Sequence, residues 1–129
     1  MGTAYTGIER RKFRRIPVSF VVFYKVNYPL VVRVKLGDKE VNALSADISE
    51  GGMAVITGSE IPPATNIAVK FIMSNDKSDN IDEQRRSIAV RGELSYNVEG
   101  EKGYRVGVKF IDLAADDRRF ISNFVSANK

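Results

Sequence analysis

Two short stretches of this 129-residue chain hold the residues best suited to chemistry. "RRKFRR", residues 10–15, puts five cations into six positions just ahead of the first hydrophobic run. Such self-repulsion belongs either to a solvated tail or to a segment that meets a compact polyanion. "DISEGG", residues 47–52, combines an acceptor-only carboxylate, a hydroxyl and two glycines between two apolar runs. Taken alone it is an ordinary β-turn, since aspartate, serine and glycine are what tight turns use.

The rest of the composition narrows the chemistry. There is no histidine and no cysteine. The commonest general base, the commonest transition-metal ligand, the thiol nucleophile and the disulfide are therefore all absent. Asp112, Asp116 and Asp117 form an acidic group near the C-terminus, but they suit the start of a helix better than a metal site. The enzymatic reading is poor. The longest uninterrupted apolar run, Phe20 to Tyr24, is far too short to span a bilayer, and no secretory signal precedes it.

Location matters more than total for the net charge of +4. Residues 1–15 hold five Lys/Arg against the single acid Glu9, and the remainder carries fifteen of each sign. The whole excess sits on a basic N-terminal arm, expected to be flexible, ahead of an electrically balanced domain over 16–129. A nucleic-acid-binding domain spreads its basic surface over a face or groove instead.

The elements that must position these residues are mostly strands. Every even position from Ile16 to Tyr28 is apolar, which predicts one long half-buried strand. "LVVRVKLGDKEVNALSAD" reads as a hairpin turning at Gly37-Asp38, with Pro29–Lys39 as an added strand. Strands follow at 53–57, 66–74, 87–98 and 104–111, the last two joined by a turn around "EGEKG". Residues 75–84 are polar and read as a loop that packs nothing. Phe120, Ile121, Phe124 and Val125 fall at helical spacing near the end. The fold class is all-β with a terminal helix: a six- to seven-stranded antiparallel barrel that covers its own edges.

Read together, the two stretches become specific. Arg11 to Arg15 fits R-x-x-x-R and runs directly into Ile16-Pro17-Val18; Asp47 to Gly52 fits D-x-S-x-x-G; and "YRVGVKFIDL" leads into the terminal helix. From about Glu9 onward the chain resembles the PilZ domain, the bacterial receptor module for cyclic di-GMP. The resemblance implies a six-stranded barrel with a helix, a cytoplasmic bacterial setting, and a regulatory nucleotide ligand instead of a catalytic cofactor. The formal N-myristoylation match at Met1–Thr6 is short, and the implied bacterial source argues against it.

The implied ligand suits these side chains. Arginine's planar fork matches both a phosphate and the O6/N7 edge of guanine, and its plane can stack on the base. Arg11 and Arg15 are assigned to phosphate and guanine contacts. Asp47 would accept from the N1–H and N2 amino group of guanine, and Ser49 would donate to a phosphate or guanine oxygen. Gly52 would allow positive φ or close backbone approach, and exposed amides around Gly51 could form an anion-binding nest. Arg10 and Arg14 lie outside the motif. They are either solvated charge or neutralise a second cyclic di-GMP, since PilZ domains can bind an intercalated dimer. The expected protein is a monomer or weak dimer, with no nucleic acid and no membrane insertion, whose ligand-ordered arm is recognised by an unidentified protein partner. A ligand-independent adaptor and a single-stranded nucleic-acid-binding barrel are the alternatives.

Overall fold

Alternation after the arm does build strands, but in two pieces. The computed structural model describes residues 13–37, 39–75 and 84–128. In it the predicted 16–28 strand is β1 (Ile16–Pro17) followed by β2 (Val21–Tyr28). Both run antiparallel to β3 (Val41–Ser49), with Ile16 opposite Ile48 and Val21 opposite Leu44. Between them the pairing slips by one residue, and the Ser45 hydroxyl accepts the Phe20 N–H at 2.7 Å. The inward faces agree with the alternation: Ile16, Val22, Tyr24 and Val26 are buried. Tyr28 departs from it at 66% exposed, because the β2–β5 register slips between Val26 and Tyr28.

The expected hairpin arm at 30–36 is not a strand. It is a helix, α1 (Leu30–Leu36), closed by Gly37 at φ 90° with the Gly37 N–H donated to the Arg33 carbonyl. Pro29 before the first helical residue and a left-handed glycine after the last are start and stop signals that override the strand preference of three valines. Buried Val32 and partly buried Leu36, one turn apart, face the core.

The remaining strands are β4 (Gly52–Thr57), β5 (Asn66–Ser74), β6 (Arg85–Gly100) and β7 (Gly103–Phe110). They hydrogen-bond in the order β1-β3-β2-β5-β6-β7-β4, and an additional β3–β4 pairing closes the ring. The result is a six-stranded antiparallel barrel with β1 as one extra short strand along β3. Its interior is filled by alternate residues, among them Val69, Phe71 and Met73 of β5 and Val106, Val108 and Phe110 of β7. Phe71 stacks between Phe20 and Phe110, with centroids 5.4 and 6.5 Å away. The predicted loop after β5 does pack at its neck. Asn75 is buried, and its N–H meets the Gln84 carbonyl at 2.6 Å; residues 76–83 lie outside the described residues.

The chain ends in α2 (Ala115–Ala127), which lays Phe120, Ile121 and Val125 into the core beside β3 and β6. Burying each of these side chains contributes about 2 kcal/mol. Asp116 and Asp117 stand in its first turn, where negative charge offsets the helix dipole. Asp117 also pairs with Arg86 at 2.6 Å. Asp112 precedes the helix and binds Arg91 instead, accepting from its N–H at 3.0 Å and its Nε at 2.9 Å. No described helix is long and apolar enough to cross a membrane, and no cluster of three or more metal-ligating side chains exists among the described residues.

Candidate functional site

A bulge decides where Asp47 points. Along β3, Ala43 and Ser45 face inward, and strict alternation would bury position 47 as well. The β3–β4 register slips between Ser45 and Asp47, so Ala46 is the extra residue and Ile48 takes the inward position. Asp47 is thereby turned to the outer wall, opposite Pro17 on one side and Ala54 on the other. A charge that would be costly inside the barrel becomes available to partners outside it.

Two arginines from distant parts of the chain meet that carboxylate. Arg15, on the approach to β1, donates from Nη1 to Oδ1 at 2.7 Å. Arg105, on the outer face of β7, donates from Nη2 to Oδ2 at 2.8 Å. The Ala54 N–H adds a third bond to Oδ1 at 3.2 Å. The Asp47 side chain is only 15% exposed, whereas those of Arg15 and Arg105 are 26% and 44% exposed. One carboxylate between two guanidinium groups leaves an excess positive charge, and each guanidinium has five N–H donors of which this contact engages one. The unspent guanidinium donors can meet an anion, while both oxygens of Asp47 are engaged within the protein.

The turn beside it is held from within. Ser49 is 2% exposed, and its Oγ accepts the Gly51 N–H at 3.1 Å while lying 3.4 Å from the Gly52 carbonyl, to which it donates. In this arrangement the hydroxyl expected to face a ligand stabilises its own turn, and the Gly51 N–H is engaged with it. The Gly51 carbonyl accepts the Phe110 N–H at 2.9 Å. Gly52 is required for close approach, not for a left-handed φ: a Cβ there would lie 2.1 Å from the Val108 carbonyl oxygen.

Gly51 answers to the arm. A Cβ at Gly51 would lie 2.7 Å from Cδ2 of Phe13, so this glycine is the seat of the phenylalanine inside the basic motif. On α2, the Arg118 guanidinium lies 5.8 Å from the same ring's centroid, within reach of a cation–π contact. Phe13 thus lies between the turn and the terminal helix.

Of the sequence-predicted residues, Arg15, Asp47, Ser49, Gly51 and Gly52 come together on this wall. Arg14 is nearby in the chain and exposed, and Arg10 and Arg11 lie outside the described residues. Sequence reasoning missed Arg105, Phe13 and Arg118. Arg105 could have been noted as an outward position in the alternation of "YRVGVKF", but its distance of 58 residues from Asp47 hides the contact.

The PilZ domain family model matches residues 9–127. No curated protein matches the chain. Among solved structures it is similar to the Bacillus subtilis inhibitor of motility MotI/DgrA, with a TM-score of 0.67 and 16% identity over 91% of this chain and 50% of that one. It is also similar to YcgR of Escherichia coli in complex with c-di-GMP, with a TM-score of 0.60 and 16% identity over 92% of this chain and 45% of that one. For PlzA of Borreliella burgdorferi in complex with c-di-GMP the TM-score is 0.60, with 17% identity over 94% of this chain and 43% of that one. The chain spans about half the length of these three proteins or less, and at such identities the likeness is one of fold. The match extends from within the basic arm, across the barrel and the Asp47–Gly52 turn, into the terminal helix: the chain belongs to the PilZ domain family.

Proposed function

We propose that this protein is a receptor for cyclic di-GMP, seated on the outer wall of the barrel at Asp47. The observation that carries the reading is the meeting of Arg15 and Arg105 on one carboxylate, beside a glycine turn that receives the arm. Cyclic di-GMP brings two phosphates and two guanine edges in a compact ring. Asp47 is the acceptor for a guanine N1–H and amino group, and Arg15 with the other arginines of the arm matches phosphate or the O6/N7 edge. Family membership and the fold shared with c-di-GMP complexes of YcgR and PlzA support the same ligand.

In this reading the arm is the responsive element. Arg10, Arg11, Arg14 and Arg15 are drawn onto the dianion, and the contact from Phe13 to Arg118 carries the change to α2, where a partner protein meets arm and ligand together. In this reading the site binds its ligand and does not catalyse. An equilibrium-binding comparison of cyclic di-GMP with linear diguanylate and a single-stranded RNA of similar charge tests this. The reading expects clear preference for the cyclic dinucleotide, and greater hydrogen-exchange protection of residues 1–15 when it is bound. Preference for RNA would replace it with the nucleic-acid reading. Binding without any change in arm protection would remove the switching role of the arm.

A further inference from the structure

We propose that Arg105 is a third arginine of the ligand site: it orients Asp47 in the free protein and turns to a ligand phosphate when the guanine edge takes the carboxylate. This rests on the receptor reading above and adds a residue that lies in neither the R-x-x-x-R nor the D-x-S-x-x-G stretch. Arg105 stands opposite Ile56 on the outer wall, and its side chain leans along the sheet toward the Asp47 row to place Nη2 2.8 Å from Oδ2. With Arg15 on the other oxygen, both acceptors of Asp47 are engaged.

A guanine presenting two N–H donors to Asp47 therefore has to displace or share with these guanidinium groups. Arg105 yields more easily than Arg15, because its side chain is 44% exposed against 26% and its pair is the more solvent-screened. A partly exposed ion pair contributes little and is given up at small cost. Released from Oδ2, the same guanidinium stays within a side chain's length of whatever Asp47 holds and carries unspent donors for a phosphate. Since β7 is a ring strand of the barrel, Arg105 reaches the ligand from a fixed base, which a residue of the arm cannot do.

The test is a titration of the full chain with cyclic di-GMP at several salt concentrations, for the natural sequence, Arg105→Ala and Arg105→Lys. The inference expects Arg105→Ala to weaken binding about tenfold or more, the loss of one charge-assisted contact. It expects Arg105→Lys to recover part of that loss. Because the alanine variant has one phosphate contact fewer, its affinity should also fall less steeply with salt. The melting temperature of both variants should stay close to that of the natural protein, as expected for an exposed side chain. Unchanged or tighter binding by Arg105→Ala, with the natural protein binding normally, overturns the inference and leaves the receptor reading standing. An unchanged salt dependence in a weakened Arg105→Ala also overturns it, since the residue would then act only by holding Asp47. Failure of the natural protein to bind overturns both.

Discussion

The two adjacent glycines of the turn make opposite predictions when each gains one methyl group. At Gly52 the added Cβ would meet the backbone of β7: 2.1 Å from the Val108 carbonyl oxygen, 3.2 Å from its carbon and 3.3 Å from Lys109 Cα. Relief needs β7 to move by roughly 1 Å, since carbon pairs lose their attraction below about 3.5 Å. That strand is paired on both edges, to β4 and β6, within a closed ring. Overpacking of 1–3 kcal/mol combined with weakened β4–β7 hydrogen bonds puts Gly52→Ala at about 3 kcal/mol of lost stability. For a domain of this size that lowers the melting temperature by about 10 °C. At Gly51 the three atoms nearest the new Cβ all belong to the Phe13 ring, with Cδ2 at 2.7 Å and Cε2 at 3.1 Å. A half-buried side chain on the arm can swing aside, so Gly51→Ala should lose less than about 1 kcal/mol. Its effect appears in binding, because displacing Phe13 undoes the contact with Arg118 and moves Arg15 away from Asp47. Urea denaturation followed by circular dichroism separates the two through their midpoints. Equal midpoints for Gly52→Ala and the natural protein, or an equal drop for both variants, would refute the assignment of one glycine to the barrel and the other to the arm.

Tyr24→Phe should lose about 1–2 kcal/mol in the same assay, because the buried Tyr24–Thr57 hydroxyl pair at 2.7 Å would lose one member. Burial holds the Tyr24 hydroxyl above its usual pKa, ahead of the opposing hydrogen bonds from Thr57 and Ser59. Its contribution is therefore complete below the unfolded value of about 10 and fades as pH rises through the folded value. Alkaline titration of stability should fall more steeply for the natural protein than for Tyr24→Phe; parallel curves would contradict this. Asp112 has the reverse sign. The side-chain bond from Arg91, aided by the Arg91 N–H, holds its carboxyl below the usual range. What the pair contributes is present above the unfolded value of about 4 and lost as pH falls through the folded one. Any stability gap between the natural protein and Arg91→Ala at neutral pH should close at about pH 2; a constant gap would mean that Arg91 acts by packing.

Period-two alternation made the strands after residue 40 legible, because one face of each is packed into the barrel and the other is not. The helix at 115–127 was legible for the matching reason at a period of 3.6. Residues 30–36 were misread because valine favours strands, while the Pro29 and Gly37 signals that bracket a helix act through backbone geometry at two positions only. The two motifs do converge in the fold, since Arg15 and Asp47 meet. What they could not convey was register. Only the closure of the ring brings Arg105 to a residue 58 positions away, and only the bulge at Ala46 turns Asp47 outward to receive it. The internal use of the Ser49 hydroxyl was likewise hidden, because a serine in a turn reads the same whether it faces a ligand or its own backbone.

The most direct test is a calorimetric titration of the full chain with cyclic di-GMP at physiological ionic strength, repeated with Asp47→Ala. The account predicts saturable binding by the natural protein and at least about a tenfold loss on removing the carboxylate on which both arginines converge. Its stoichiometry would read out whether one nucleotide or a pair occupies the wall. Absence of heat from the natural protein, or equal affinity after the substitution, would contradict the account.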